Sequence, residues 1–209
     1  MNIIEDLNWR YATKKFDTSK KVDEGTIDRI KEAINLSASS VGLQPFTVLD
    51  IRDEKVRESL VEHTWGQRQI VEASHLFVFC SMKQLTDQYV TSFAETLRFR
   101  RGLQEKHRER TITVAGNVTK GKTQQEIAAW ASEQAHIAVG TALVACASER
   151  VDSCPIGGFD PQRYSDILGL EEKGLNAVLV LPIGYRSDED WNDKYPKGRK
   201  TIDELFQIV

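Results

Sequence analysis

Residues 116–123 read "GNVTKGKT", and what they are decides the fold. The stretch satisfies G-x-x-x-x-G-K-[ST] at every required position. A loop of that pattern cradles phosphates with backbone N–H groups, reaches the terminal phosphates with its lysine and holds Mg²⁺ with its hydroxyl. Its flanks allow the idea, with "TITV" (111–114) as a strand and the following 124–148 as a helix. Such a loop follows the first strand of a parallel sheet, and several more strands must come after it. Only 86 residues (209 − 123) remain, and they offer one strong strand, one short one and a tail. A carboxylate ending a downstream strand is also needed for Mg²⁺, but Asp50 precedes the loop, and "AVLVLPIGY" (177–185) ends in proline and glycine. The competing reading makes Gly116, Lys120, Gly121 and Lys122 a solvated turn between two helices, and the rest of the chain favours it.

The 209 residues are 40% hydrophobic and 28% charged with a formal net charge of −3. That is the composition of a folded globular chain without a global basic field for nucleic acid. No stretch has the length of a membrane span. The opening "MNIIEDLNWR" carries Glu5 and Asp6 where a secretion signal has basic residues. Cys80, Cys146 and Cys154 are odd in number and sit in or beside apolar runs, which suits small buried side chains. These features predict a cytoplasmic protein with no structural metal.

Periodicity places a short helix over "NIIEDLNWRYA" and a second over "DEGTIDRIKEAINLS", with Asp23 as N-cap. "SASSVGLQ" is a loop, "PFTVLDI" a strand, "DEKVRESLVEHT" a helix and "SHLFVFCSM" a strand buried on both faces. Residues 83–112 are polar and helix-prone, and "TLRFRRGLQEKHRER" (96–110) reads as a solvated helix face. The helix over 124–148, rich in Ala and Gly, is expected to be central and fully covered. "VDSCPIGGF" is a short strand entering a glycine turn, "DPQRYSDILGL" a helix with Pro161 at its first position, and "LNAVLVLPIGY" the strongest strand. The β-capable tail "TIDELFQIV" (201–209) has no neighbouring partner. No repeat or linker interrupts 1–209, so one domain is expected. His75 and His136 fall in apolar elements and read as core residues.

Three separated segments join basic residues to permissive backbone: "RYATKKFD" (10–17), "PIGGFD" (155–160) and "PKGRK" (196–200). Arg10 and Lys14 are one helical turn apart, Gly157 and Gly158 offer successive N–H groups, and Lys197 and Arg199 fall on one side of an extended segment. A forked Arg beside a Lys suits a phosphate monoester.

With "SASSVGLQPF" (37–46), "WGQRQIVEASHLFVFC" (65–80), "PIGGFDPQRYSDILGL" (155–170) and "VLVLPIGYRSDEDWNDKYPKGRK" (178–200), these segments give the chain an end-to-end resemblance to the nitroreductase family. The resemblance implies an α+β fold with a mixed, mainly antiparallel sheet flanked by helices. It implies an intertwined homodimer whose C-terminal strand joins the partner's sheet. It also implies bound FMN, NADH or NADPH as hydride donor, and ping-pong transfer through flavin N5 to nitroaromatics, quinones or similar planar oxidants. Neither nucleic acid nor a membrane is an expected partner. Arg10, Lys197 and Arg199 would hold the FMN phosphate, with Tyr11 and Ala12 beside them. Lys14 would stabilise charge at the pyrimidine edge, near Gln69. Pro155 and Ile156 would lead to Gly157 and Gly158, whose N–H groups face N5 and O4. Ser39, Ser40 and Gln44 would cover the flavin from the other subunit. Ala12 stands where a hydroxyl residue often sits, Gly157 where some members have Glu, and Gln69 where some have Lys. The alternatives are a nucleotide-hydrolysing phosphate loop and a flavin carrier without turnover.

Overall fold

A computed structural model describes residues 2–209. In chain order the elements are α1 (Ile3–Trp9), α2 (Glu24–Asn35), β1 (Phe46–Asp50), α3 (Glu54–Leu60), α4 (Gln69–Glu72), β2 (His75–Met82), α5 (Asp87–Arg101), α6 (Glu105–Thr119), α7 (Gln124–Ser148), β3 (Asp152–Ser153), α8 (Pro161–Leu168), β4 (Leu175–Gly184) and α9 (Ile202–Leu205). The four strands form one sheet in the order β1-β2-β4-β3, and every pairing is antiparallel. The one parallel contact is an isolated bridge between Ala12 and Ser153. Among the described residues no helix is long and apolar enough to cross a membrane.

The sheet is the middle of three layers. Leu76, Val78 and Cys80 of β2 point to a core shared with Leu60, Ile70, Tyr164 and Ile156. Phe77 and Phe79 point the other way, onto Ile27, Ile30 and Ile34 of α2 and Ala138, Ala142 and Cys146 of α7. In β4 the parity changes partway, with Ala177 and Val180 on the first face but Leu179, Leu181 and Ile183 on the second. A register shift opposite Phe79/Cys80 is the cause. One extra residue lets both halves of the strand bury their apolar side chains.

The helix starts follow their caps. Asp23 accepts from the Thr26 N–H at 2.9 Å, and Asp160 accepts from the N–H groups of Gln162 and Arg163 ahead of Pro161. At "GNVTKGKT" the turn reading holds, with a correction: "TITV" and Gly116 lie inside α6, and only 120–123 turn. The Thr123 hydroxyl accepts from the Glu126 N–H and the Glu126 carboxylate takes the Thr123 N–H, a reciprocal capping box that starts α7. Lys122 Nζ donates to the Val118 carbonyl, and Asp50 is paired with Lys31 and Arg52.

Three expectations change. α7 is not covered all round, since Glu133, His136, Ile137 and Gly140 form an exposed stripe with Ile137 at 47%. His136 is therefore a surface residue whose Nδ1 lies 2.8 Å from the Ser132 carbonyl, whereas His75 is buried beside the Ser74 hydroxyl. The tail is not a strand at 202–205: Thr201 and Glu204 form a second capping box that winds one helical turn. Its apolar side chains, Phe206 and Ile208 among them, are exposed.

Candidate functional site

The strand-like segment after α1 carries the first cations. It runs beside β3 through the Ala12–Ser153 bridge and beside the end of β4 through a Phe16–Arg186 bridge. Along it, Arg10 Nε, the Tyr11 hydroxyl and the Thr13 hydroxyl are buried without a hydrogen-bond partner. Unpartnered buried polar atoms are rare, so three in four residues call for an explanation.

Lys197 and Arg199 come to the same place from the C-terminal loop. Lys197 Nζ donates to the Asn8 carbonyl at 2.7 Å, at the end of α1. Burial lowers the Arg10 pKa, and the charge of Arg199 lowers it further. Lys197 is likewise held down by burial and then by Arg10, Arg199 and Arg186. Three cations thus converge, and among the described residues none of them is ion-paired to a carboxylate; such a cluster repels itself until an anion arrives. A cavity of about 320 Å³ opens here, lined by Trp9, Tyr11, Arg186, Asn192, Lys197 and one carboxylate, Asp193, which acts on Arg186 and Tyr11.

Sequence reasoning passed over Arg186. Its guanidinium lies 4.6 Å from the Trp9 ring centre and 4.5 Å from that of Tyr11. Its Nη2 is 2.6 Å from Asp152 Oδ1, and its N–H donates to Asp152 Oδ2 at 2.9 Å. Asp152, buried in the short strand β3 between the apolar Val151 and Cys154, was the available signal, because a buried carboxylate requires a cation or several donors. Arg186 is therefore paired with Asp152 while still adding positive charge beside Lys197.

The glycine pair sits on the neighbouring rim. Ile156 exchanges hydrogen bonds with Val180 at 2.8 and 3.0 Å, which pins "PIGG" to β4. Gly157 has open space where a Cβ would be, while a Cβ on Gly158 would meet Trp65 Cζ3 at 2.5 Å. Trp65 itself was overlooked. It holds a left-handed backbone (φ 55°) and leaves its ring 73% exposed over Gly158, a strained conformation for a bulky residue. Among the described residues the N–H groups of Gly157 and Gly158 have no acceptor. Pro155 is half-buried and Ile156 buried beneath them. Lys14 is exposed, and together with Arg10 it partly offsets the burial that pushes the Cys154 thiol up. Gln69 is buried in α4.

Ser39, Ser40 and Gln44 are not brought to this place. They form a tight turn ahead of β1, in which the Ser39 hydroxyl accepts from Gln44 N–H at 3.0 Å and Ser40 N–H donates to Gln134. β1 and β3 are opposite edges of the sheet, about 14 Å apart at three strand spacings. Among the described residues no group of three or more His, Cys, Asp or Glu is arranged to hold a metal ion.

Residues 7–185 match the family model described as Nitroreductase family. The major NAD(P)H-flavin oxidoreductase of Aliivibrio fischeri is 31% identical, over 99% of this chain and 98% of its own length. The oxygen-insensitive NAD(P)H nitroreductase of Salmonella typhimurium (strain LT2) is 30% identical over the whole of both chains. Among solved structures, a protein of Exiguobacterium sibiricum 255-15, provisionally described as a nitroreductase and solved in complex with FMN, superposes with a TM-score of 0.86. It has 19% identity and covers 100% of this chain and 98% of the other.

Proposed function

Because the chain belongs to the nitroreductase family, we propose that the cation cluster and the glycine rim are its FMN site and that it works as a homodimeric NAD(P)H oxidoreductase of the cytoplasm. The observation that carries this is the convergence of Arg10, Lys197 and Arg199, none of them ion-paired among the described residues, beside the unpartnered Arg10 Nε. A phosphate monoester supplies the missing charge and the acceptors that these donors lack.

FMN bound there would supply redox chemistry between NADH or NADPH as hydride donor and, in a separate half-reaction, a nitroaromatic, quinone or similar planar acceptor. The residues supply the surroundings of that chemistry. Arg10, Lys197 and Arg199 would hold the phosphate, with Tyr11 and Ala12 beside them. Lys14 would place a cation at the pyrimidine edge, where negative charge would accumulate, and Gln69 would offer an amide to the same edge. Gly157 and Gly158 would offer their free N–H donors to the N5 side of the ring, next to Pro155 and Ile156. Ser39, Ser40 and Gln44 lie on the far sheet edge, so a second copy must bring them to cover the flavin. An exposed stripe on α7, the exposed apolar tail and the open β1 edge are the surfaces such a dimer would use.

The absorbance spectrum of the purified protein tests this reading. A yellow protein that bleaches on anaerobic addition of NADPH or NADH is the expected result. A protein that stays yellow is a carrier, and one that neither copurifies with FMN nor binds it has another function.

A further inference from the structure

The cations of the phosphate site come from two segments about 180 residues apart in sequence, and they repel each other. Something other than mutual attraction must therefore hold them together. The two segments are laced side by side: Asp17 N–H donates to the Tyr185 carbonyl at 2.9 Å and Ser187 N–H to the Lys15 carbonyl at 3.0 Å. Beyond that point the fastening passes to Asp190. Its side chain lies within a residue only 2% exposed, in a loop whose neighbours are largely in solvent. Oδ2 accepts from the N–H groups of Lys14 at 2.6 Å and Lys15 at 3.1 Å, and Oδ1 accepts from Asn192 N–H at 2.8 Å. Asn192 completes the tie by donating from Nδ2 to the Ala12 carbonyl at 3.2 Å.

A carboxylate drawn out of water is costly unless hydrogen bonds compensate it. Here they come from backbone N–H groups on both sides of the seam, so the negative charge is used to join two stretches of main chain. The next tie along the loop is Lys197 Nζ to the Asn8 carbonyl, made by one of the repelling cations itself. We propose that Asp190, assisted by Asn192, is the positioning residue of the phosphate site. Its carboxylate locks the segment bearing Arg10 and Lys14 to the loop bearing Lys197 and Arg199, so that the cations stay in one cluster. The inference rests on the assignment of that cluster to the FMN phosphate.

The seam positions all three phosphate cations but, of the ring contacts, only Lys14, so its loss is read chiefly as a loss of discrimination between FMN and riboflavin, which lacks the phosphate. Full-length protein freed of flavin is titrated with each, following the quenching of flavin fluorescence. Asp190→Asn is the informative variant: whichever way the amide turns, its NH₂ faces an N–H on one side of the seam. The wild type is expected to prefer FMN strongly. In Asp190→Asn that preference falls by tenfold or more, riboflavin affinity falling only by the smaller factor that Lys14 contributes, and in Asn192→Ala the preference falls by a smaller factor. A change in global stability alone would not alter this ratio. An unchanged preference in Asp190→Asn overturns the proposal, and if that protein does not fold, an unchanged preference in Asn192→Ala overturns it instead. A wild type that binds riboflavin as tightly as FMN refutes the phosphate assignment itself, and the role of Asp190 falls with it.

Discussion

Replacing Arg10 by methionine keeps an apolar stem of similar length and removes the charge and five N–H donors. A charge-assisted contact contributes about 1.5–3 kcal/mol, and about 1.4 kcal/mol is tenfold in Kd, so one contact spans about tenfold to about 150-fold. Environment places each cation within that range. Arg10 is half-buried with a buried, unpartnered Nε, so Arg10→Met falls at the upper end, about 100-fold weaker in FMN binding. Arg199 is exposed, where water screens the contact, and Arg199→Met costs about tenfold. Lys197, half-buried, falls between. The flavin-free protein should respond in the opposite sense at Arg10 and Arg199, where the substitution relieves repulsion and Tm stays level or rises, whereas at Lys197 the lost bond to the Asn8 carbonyl offsets that relief. The pH dependence follows from Lys197, whose folded pKa lies below its ordinary 10.5. Between those two values the unfolded chain binds more protons, so this residue makes stability rise with pH through the window, and Lys197→Met removes that contribution. Fluorescence titration with FMN and thermal unfolding without it, at neutral and alkaline pH, measure both halves. Equal losses at all three positions, or a destabilised flavin-free protein with unchanged FMN affinity, would refute the reasoning.

Four further outcomes are expected. Titration calorimetry with MgATP should give no heat for the wild type or for Lys122→Ala. Thr123→Ala, which loses the α7 cap, should cost about 1 kcal/mol of stability, and a micromolar ATP signal abolished by Lys122→Ala would restore the phosphate-loop reading. Deleting residues 201–209 should release both dimer and flavin, as read by sedimentation at the flavin wavelength; a truncated protein that stays a yellow dimer shows the tail to be dispensable. Gly158→Ala should push the Trp65 ring back by about 1 Å, since carbon contacts settle at about 3.5–4 Å. The exposed ring can yield, so the substitution costs less in a Trp65→Ala background, and a double-mutant cycle with no coupling rules the contact out.

Much of this was legible in the sequence because local rules and packing agreed. Asp23 and Pro161 mark helix starts by chemistry confined to four residues, and the apolar runs at 75–82 and 175–184 can only be buried strands. The cations at Arg10, Lys197 and Arg199 could be singled out because each stands next to residues that free the backbone. What stayed hidden depends on partners remote in sequence. The β4 bulge is set by its register with β2 and leaves no mark on hydropathy. Asp190 sits in an acidic run, "SDED", where nothing local separates a buried clamp from its exposed neighbours. Trp65 adopts a conformation that its own propensity disfavours; the glycine that follows it and the glycine beneath it were the only hints. The tail was misjudged at 202–205 because a Thr-x-x-Glu cap outweighs β propensity when no strand lies alongside.

The distance between the cations on one sheet edge and the Ser39–Gln44 turn on the other has a genetic consequence. In a dimer that shares its sites, each flavin would draw its phosphate ligands from one polypeptide and its cover from the other. Two defective alleles, one lacking Arg10 and one damaged at Gln44, would then rescue each other when expressed together. A mixed dimer would hold one pocket with both lesions and one pocket with neither, so a cell carrying two dead copies would recover activity that neither supplies alone.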